Sequence, residues 1–166
     1  PKDARDFMAI GLFALNAYLS FIEAGAFNLD WLELHNGSFL SERSSRLGPA
    51  FLGLSLAHRF APPGAELLRV RSHEPRIVAF ASRPSEERLS LLLVNGTDRA
   101  IRDVAVTLEG ESIPDNARRT LFARETDDPE TDGVISESTG EQPLGPAFTV
   151  NLPAQSATLF EGTLAD

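Results

Sequence analysis

The chain has 166 residues, a formal net charge of −9 from 24 acidic and 15 basic side chains, 42% hydrophobic residues and no cysteine. This balance argues against a grip on nucleic-acid phosphates or anionic lipid, which takes clustered Lys and Arg, and the lack of cysteine excludes disulfides and thiolate metal sites without fixing a compartment. A chain of this length buries roughly 70% of its extended surface on folding, so a core is within reach, and its averages are those of a globular protein.

Lys2 and Arg5, the apolar run from Phe7 to Ile22 and the small residues Ala24-Gly25-Ala26 together imitate a secretion signal. Asn16, Tyr18 and Ser20 interrupt that run, which is too short to span a bilayer, and the chain opens on Pro1, which reads as a cut in a longer polypeptide. The stretch is therefore expected to be a helix that Asp3 or Asp6 caps and Gly25 ends. Its apolar residues are too dense for one narrow stripe, which predicts cover on more than one side.

Next comes Leu29 to Asn36, Leu-Asp-Trp-Leu-Glu-Leu-His-Asn, which alternates with period two. Leu32 and Leu34 point one way while Trp31, Glu33 and His35 point the other, as in a strand with one apolar and one chemically equipped face. Asn36-Gly37-Ser38 turns the chain, and a polar loop runs from Ser41 to Arg46. Gly48-Pro49 opens a second helix, which Pro62-Pro63-Gly64 stops. Helix, strand and helix in that order suit a parallel α/β sheet or barrel.

Beyond that tripeptide the period becomes two. Strands are expected at Glu66 to Arg71, Arg76 to Ser82, Arg88 to Val94, Ile101 to Leu108, Arg118 to Ala123, Phe148 to Leu152 and Ser156 to Glu161. Leu89 to Val94 is apolar on both faces and should be central, while Val104, Val106 and Leu108 should face inward between outward neighbours. The crowd of acidic residues from Glu125 to Glu141 reads as a solvated loop. The expected fold is mainly β: an antiparallel β-sandwich over residues 64–166, preceded over 1–63 by a helix-strand-helix remnant of a (β/α)8 barrel.

Chemistry-bearing patterns are sparse. His35, His58 and His73 lack metal-type spacing, no serine sits in a nucleophile elbow, and no glycine-rich phosphate loop occurs, so no cofactor or metal is expected. Asp128 to Gly133 opens like a calcium loop, but position twelve is Thr139 where a bidentate Glu is required. Asn36-Gly37-Ser38 and Asn95-Gly96-Thr97 are formal glycosylation sequons that also read as simple turns. The remaining set is Trp31, Glu33, His35 and Asn36: an aromatic face stacks on sugar C–H groups, and a carboxylate and imidazole beside it bind hydroxyls. Each of the four, taken alone, is as well explained by packing or an ordinary hydrogen bond.

Four stretches carry a resemblance: Trp31 to Gly37, Leu47 to Phe51, Leu91 to Asn95, and Phe148 to Leu159 with its Asn151-Leu152-Pro153-Ala154 turn. In order and spacing the chain resembles the C-terminal portion of a (β/α)8-barrel glycoside hydrolase with a β-sandwich, most like α-L-arabinofuranosidases and related xylosidases. The resemblance implies that two carboxylates flank the scissile bond, about 5–5.5 Å apart in the retaining type, and come from earlier barrel strands. No residue here matches them, so the isolated chain is expected to be inactive, with Trp31 beneath the sugar, Glu33 and His35 on the lumen side, and carbohydrate as the parent's partner.

A rival reading makes the sheets a carbohydrate-binding module, although after Pro62 the aromatics are all phenylalanines, without Trp or Tyr. Another makes them purely a structural or assembly domain. A strand and helices cut from a barrel would expose edges and apolar faces, which predicts self-association.

Overall fold

The computed structural model describes residues 4–26, 29–30, 48–110, 117–123, 135–139 and 144–164. Two helices, α1 (Ala4–Glu23) and α2 (Pro49–Phe60), precede eight strands: β1 (Glu66–Leu68), β2 (Ile77–Ser85), β3 (Arg88–Asn95), β4 (Ile101–Thr107), β5 (Arg118–Phe122), β6 (Ile135–Thr139), β7 (Ala147–Leu152) and β8 (Ser156–Thr163). The strands form a six-stranded sheet in the order β1-β2-β3-β8-β5-β6 and a ribbon of β4 with β7, and every pairing is antiparallel. The mainly β, antiparallel fold expected from the sequence is the fold observed.

Local chemistry explains the helix ends. Gly25 adopts φ +89, its N–H donates to the Ile22 carbonyl at 2.8 Å, and the Ala26 N–H donates to Phe21 at 2.9 Å. This nested pair ends α1 as its sequence predicts, because glycine takes the left-handed conformation without a Cβ penalty. At the start of α2, Pro49 occupies the first turn, where its missing N–H would have had no intrahelical partner.

The six-stranded sheet is covered on both faces, which follows from the alternation along β3. Leu92 and Val94 join Phe80, Phe122, Ala157 and Leu159 in a cluster closed by Met8, Leu12, Leu15 and Leu19 of α1 and Leu56, Ala57 and Phe60 of α2. Leu89, Leu91 and Leu93 point the other way, into a cluster with Ile77, Phe160 and Leu152 against which Val104, Val106, Phe148 and Val150 of the ribbon pack. β3 lies between β2 and β8, so the expected central strand is central.

The two helices meet backbone to backbone. A Cβ on Gly53 would overlap the Gly11 carbonyl oxygen, and one on Gly11 would lie 2.6 Å from the Phe122 ring and 3.0 Å from the Pro49 carbonyl. Glycine at both positions lets α1 lie against α2 and against β5 at once.

Three expectations need correction. Part of the acidic segment is a strand: β6 pairs antiparallel with β5 in the register Arg118↔Thr139 to Phe122↔Ile135. Its ladder comes from the open edge of β5, which needs no apolar alternation in the incoming segment. β1 stops at Leu68, short of Arg71, because the chain then turns: the Ser72 hydroxyl and the Ile77 N–H both donate to the Glu74 carbonyl, at 3.0 and 3.1 Å. β2 runs on to Ser85 through a register shift between Ser82 and Ser85, where Pro84 has no N–H to offer the ladder.

The cover expected on several sides of α1 is also only partly present. Met8, Leu12, Ala14, Leu15 and Leu19 are buried, whereas Phe13 is 65% and Phe21 53% exposed.

Candidate functional site

The four residues singled out from the sequence, Trp31, Glu33, His35 and Asn36, lie outside the described residues, as do the Asn36-Gly37-Ser38 sequon and the Asp128 to Gly133 loop. What is described is the frame of the first set. It follows the glycine-terminated end of α1, where Leu29 is half-buried and Asp30 exposed, and it precedes buried Gly48 at the start of α2. His58 and His73 are both exposed, and no group of three or more His, Asp or Glu poised to hold a metal occurs among the described residues.

The most developed polar cluster joins α2 to the sheet. Arg59 Nη2 donates to Glu161 Oε2 at 2.5 Å and to Thr120 Oγ1 at 2.9 Å, with side chains 28% exposed for Arg59 and 10% for Glu161. The register sets Arg118 beside Glu161 on the neighbouring strand. On β2 of the same face, the buried Ser82 hydroxyl donates to the Phe60 carbonyl, one of the last of α2 and so without an intrahelical partner. Together these contacts fasten the C-terminal end of α2. Sequence reasoning missed them because the partners lie 61 and 102 residues apart. The available signal was Glu161, a charge that continues at period two the apolar positions Ala157 and Leu159.

A second cluster ties two turns together. Asn95, fully buried, donates through Nδ2 to the carbonyls of Arg99 at 2.8 Å and Pro153 at 2.7 Å, while Oδ1 accepts from the Thr97 N–H at 3.0 Å and the Thr97 hydroxyl at 2.7 Å. The Gln155 N–H completes the link by donating to the Thr97 carbonyl at 2.8 Å. The amide is used on both ends, so this sequon acts as a latch between the β3–β4 and β7–β8 turns and is closed to glycan attachment in the folded chain.

On the surface, Arg76 donates to both carboxylate oxygens of Glu74, at 2.7 and 2.6 Å, and its backbone N–H adds a third hydrogen bond. The side-chain bonds, helped by the backbone one, hold the Glu74 pKa down at about 2. As for sugar stacking, Phe80, Phe122 and Phe160 are buried, and Phe148 packs edge-on against Phe160 at 5.8 Å. The described strands thus offer no open aromatic platform, which weighs against the binding-module reading.

No family model matches the sequence, and no curated protein does. Among solved structures the chain is similar to a family 44 xyloglucanase from Paenibacillus polymyxa, with a TM-score of 0.69 and 14% identity over 96% of this chain and 30% of that one. It is similar to a family 30 subfamily 8 xylanase from Clostridium acetobutylicum at TM-score 0.66 and 12% identity, over 98% of this chain and 40% of that one. An α-L-arabinofuranosidase from Thermotoga maritima, solved with arabinose, gives TM-score 0.66 and 17% identity over 98% of this chain and 39% of that one. The fold is therefore one that glycoside hydrolases carry. The chain spans 30 to 40% of the length of these three neighbours.

Proposed function

We propose that this chain is the C-terminal accessory portion of a glycoside hydrolase that removes arabinofuranosyl or xylosyl groups from plant-type polysaccharide, and that it braces the catalytic barrel without being catalytic alone. On this reading residues 1–63 are the last helix, strand and helix of the barrel, and residues 64–166 are the accessory sheets. The observation that carries the reading is the extent of the likeness. Hydrolases of three kinds match 96% or more of the chain, helices and sheets together, yet leave more than half of their own length unmatched.

The mechanism then divides by position. The unmatched portion supplies the two carboxylates, about 5–5.5 Å apart for a retaining reaction. The strand through Leu29 to Asn36 closes the barrel, with Trp31 stacking on a sugar face and Glu33, His35 and Asn36 binding hydroxyls beside it. Arg59 and Glu161 lock the following helix to the sheet, so that the accessory layer holds the last barrel element in place.

The test compares the 166-residue chain with the polypeptide extended upstream of Pro1, using aryl α-L-arabinofuranoside and aryl β-xyloside. The extended polypeptide should release the aryl group and the shorter chain should not. Turnover by the shorter chain would overturn the reading, as would an extended polypeptide inert on both substrates.

A further inference from the structure

The corner where β1 leads into β2 gathers arginines in an acidic chain. Leu68 lies opposite Ala81, and the Ser72 hydroxyl oxygen is 3.5 Å from the Ile77 carbonyl oxygen, so four residues on one side span the length of four strand residues on the other. The stretch from Arg69 to Ser72 is therefore extended. Its alternation puts exposed Arg69 and Arg71 on one side, about 6.6 Å apart, with half-buried Val70 on the other. Continuing the register sets Arg71 beside Val78, which is 42% exposed. At the same end of the sheet Ile77 pairs with Asn95, whose amide holds the Arg99 carbonyl, so exposed Arg99 joins the corner on a fixed turn. With 24 acidic side chains for 15 basic ones carboxylates are not scarce, yet Arg69, Arg71 and Arg99 make no ion pair among the described residues. Of the acids in these two turns, Glu74 is already matched by Arg76, and three arginines against the remaining Asp98 leave a local excess of positive charge.

Resting on the hydrolase reading above, we propose that this corner holds the carboxylates of a polysaccharide bearing uronic acids, which makes the polymer recognised acidic and not neutral. The planar guanidinium fork matches a carboxylate with two parallel hydrogen bonds, and Arg69 and Arg71 present two such forks side by side. Val78 beside them offers an apolar contact to sugar C–H groups. Recognition of this kind works through charge, so it needs no open aromatic platform on the strands. A nucleic acid is the less suited polyanion, because its phosphate density calls for a broad basic surface and this chain carries −9 overall.

Affinity electrophoresis of the 166-residue chain tests this, in gels holding polygalacturonate, a neutral arabinoxylan or no polysaccharide. A chain of net charge −9 is repelled by a polyanion as a whole, so retention by polygalacturonate at low salt requires a local site. The expected result is retention by polygalacturonate, lost at high salt, and none by the neutral polymer. Arg69→Ser with Arg71→Ser should weaken the apparent Kd by about tenfold or more, and Arg71→Gln alone by a smaller factor. Arg88→Ser, at an exposed arginine on the far end of β3, should leave it unchanged. Absence of retention, retention that survives loss of both arginines, or equal retention by neutral arabinoxylan would each overturn the proposal. Tighter binding to duplex DNA than to polygalacturonate would overturn it in favour of a nucleic-acid partner. Retention that depends on Arg69 and Arg71, together with an extended polypeptide inert on aryl glycosides, would uphold the corner and leave the hydrolase reading to fail alone.

Discussion

Arg59 and Glu161 give the sharpest test of how the helix pair is held to the sheet. Replacing Arg59 with methionine keeps most of the packing of its aliphatic stem but strips the partner from a carboxylate only 10% exposed. Breaking a fully buried pair costs about 3–5 kcal/mol. The 28% exposure of Arg59 and the neighbouring Arg118 reduce that here to about 2–3 kcal/mol. For a chain of this size the loss corresponds to a Tm lower by roughly 4–12 °C. Removing the charge as well, in Arg59→Met with Glu161→Leu, should restore most of the stability, because an apolar pair of similar volume often matches a buried ion pair. A double-mutant cycle from urea unfolding followed by circular dichroism should therefore give a coupling of about 1–2 kcal/mol, and high salt should reduce it only modestly. If the two single losses simply add up to the double, Arg59 and Glu161 act independently and the fastening of α2 described above is wrong.

Three further outcomes follow from particular contacts. Gly53→Ala should destabilise by about 1–3 kcal/mol in thermal unfolding despite the better helix propensity of alanine, because the new Cβ meets the Gly11 carbonyl, which can yield only if the helices separate. A neutral or stabilised variant would mean that the helices do not touch there. Asn95→Ala should lower stability by roughly 2 kcal/mol, since it removes both ends of a buried amide, although the Arg99 and Pro153 carbonyls still accept from the Thr97 and Ser156 hydroxyls at 3.0 and 2.8 Å. A loss below about half a kcal/mol would show that the two turns hold without the latch. The Glu74 carboxylate should titrate at about 2 by carbon NMR and return toward its ordinary 4.5 in Arg76→Gln. Because the folded pKa is depressed, whatever the pair contributes is present above 4.5 and fades as pH falls through about 2. The pair lies at the surface, its side chains 54% exposed for Arg76 and 33% for Glu74, so the stability change at pH 7 should be slight. A titration midpoint unmoved by Arg76→Gln would refute the assignment.

Much of the fold was legible because it rests on local chemistry. Gly25 and Pro49 fix helix ends through backbone conformation, which sequence reports directly, and the unbroken apolar run of Leu89 to Val94 can be satisfied only between two covered faces. β6 was not legible, since an edge strand can be recruited by the exposed ladder of β5 whatever its composition, and Ile135 to Thr139 carries only one apolar residue. Nor was the shared core of helices and sheet visible: Met8 and Leu159 meet through folding, and no spacing in the sequence encodes that meeting. The candidate site is the converse case. Its residues were selected by alternation and side-chain chemistry alone, and the described structure supplies the two helix ends between which they run.

The most direct test of the central claim is a crystal structure of the polypeptide extended upstream of Pro1. The expected result has residues 31–36 as a parallel strand closing a barrel, with Trp31 facing a lumen that holds two glutamate or aspartate side chains. Residues 31–36 paired instead to the outer edge of β1 or β6, or wound as a helix, would contradict it.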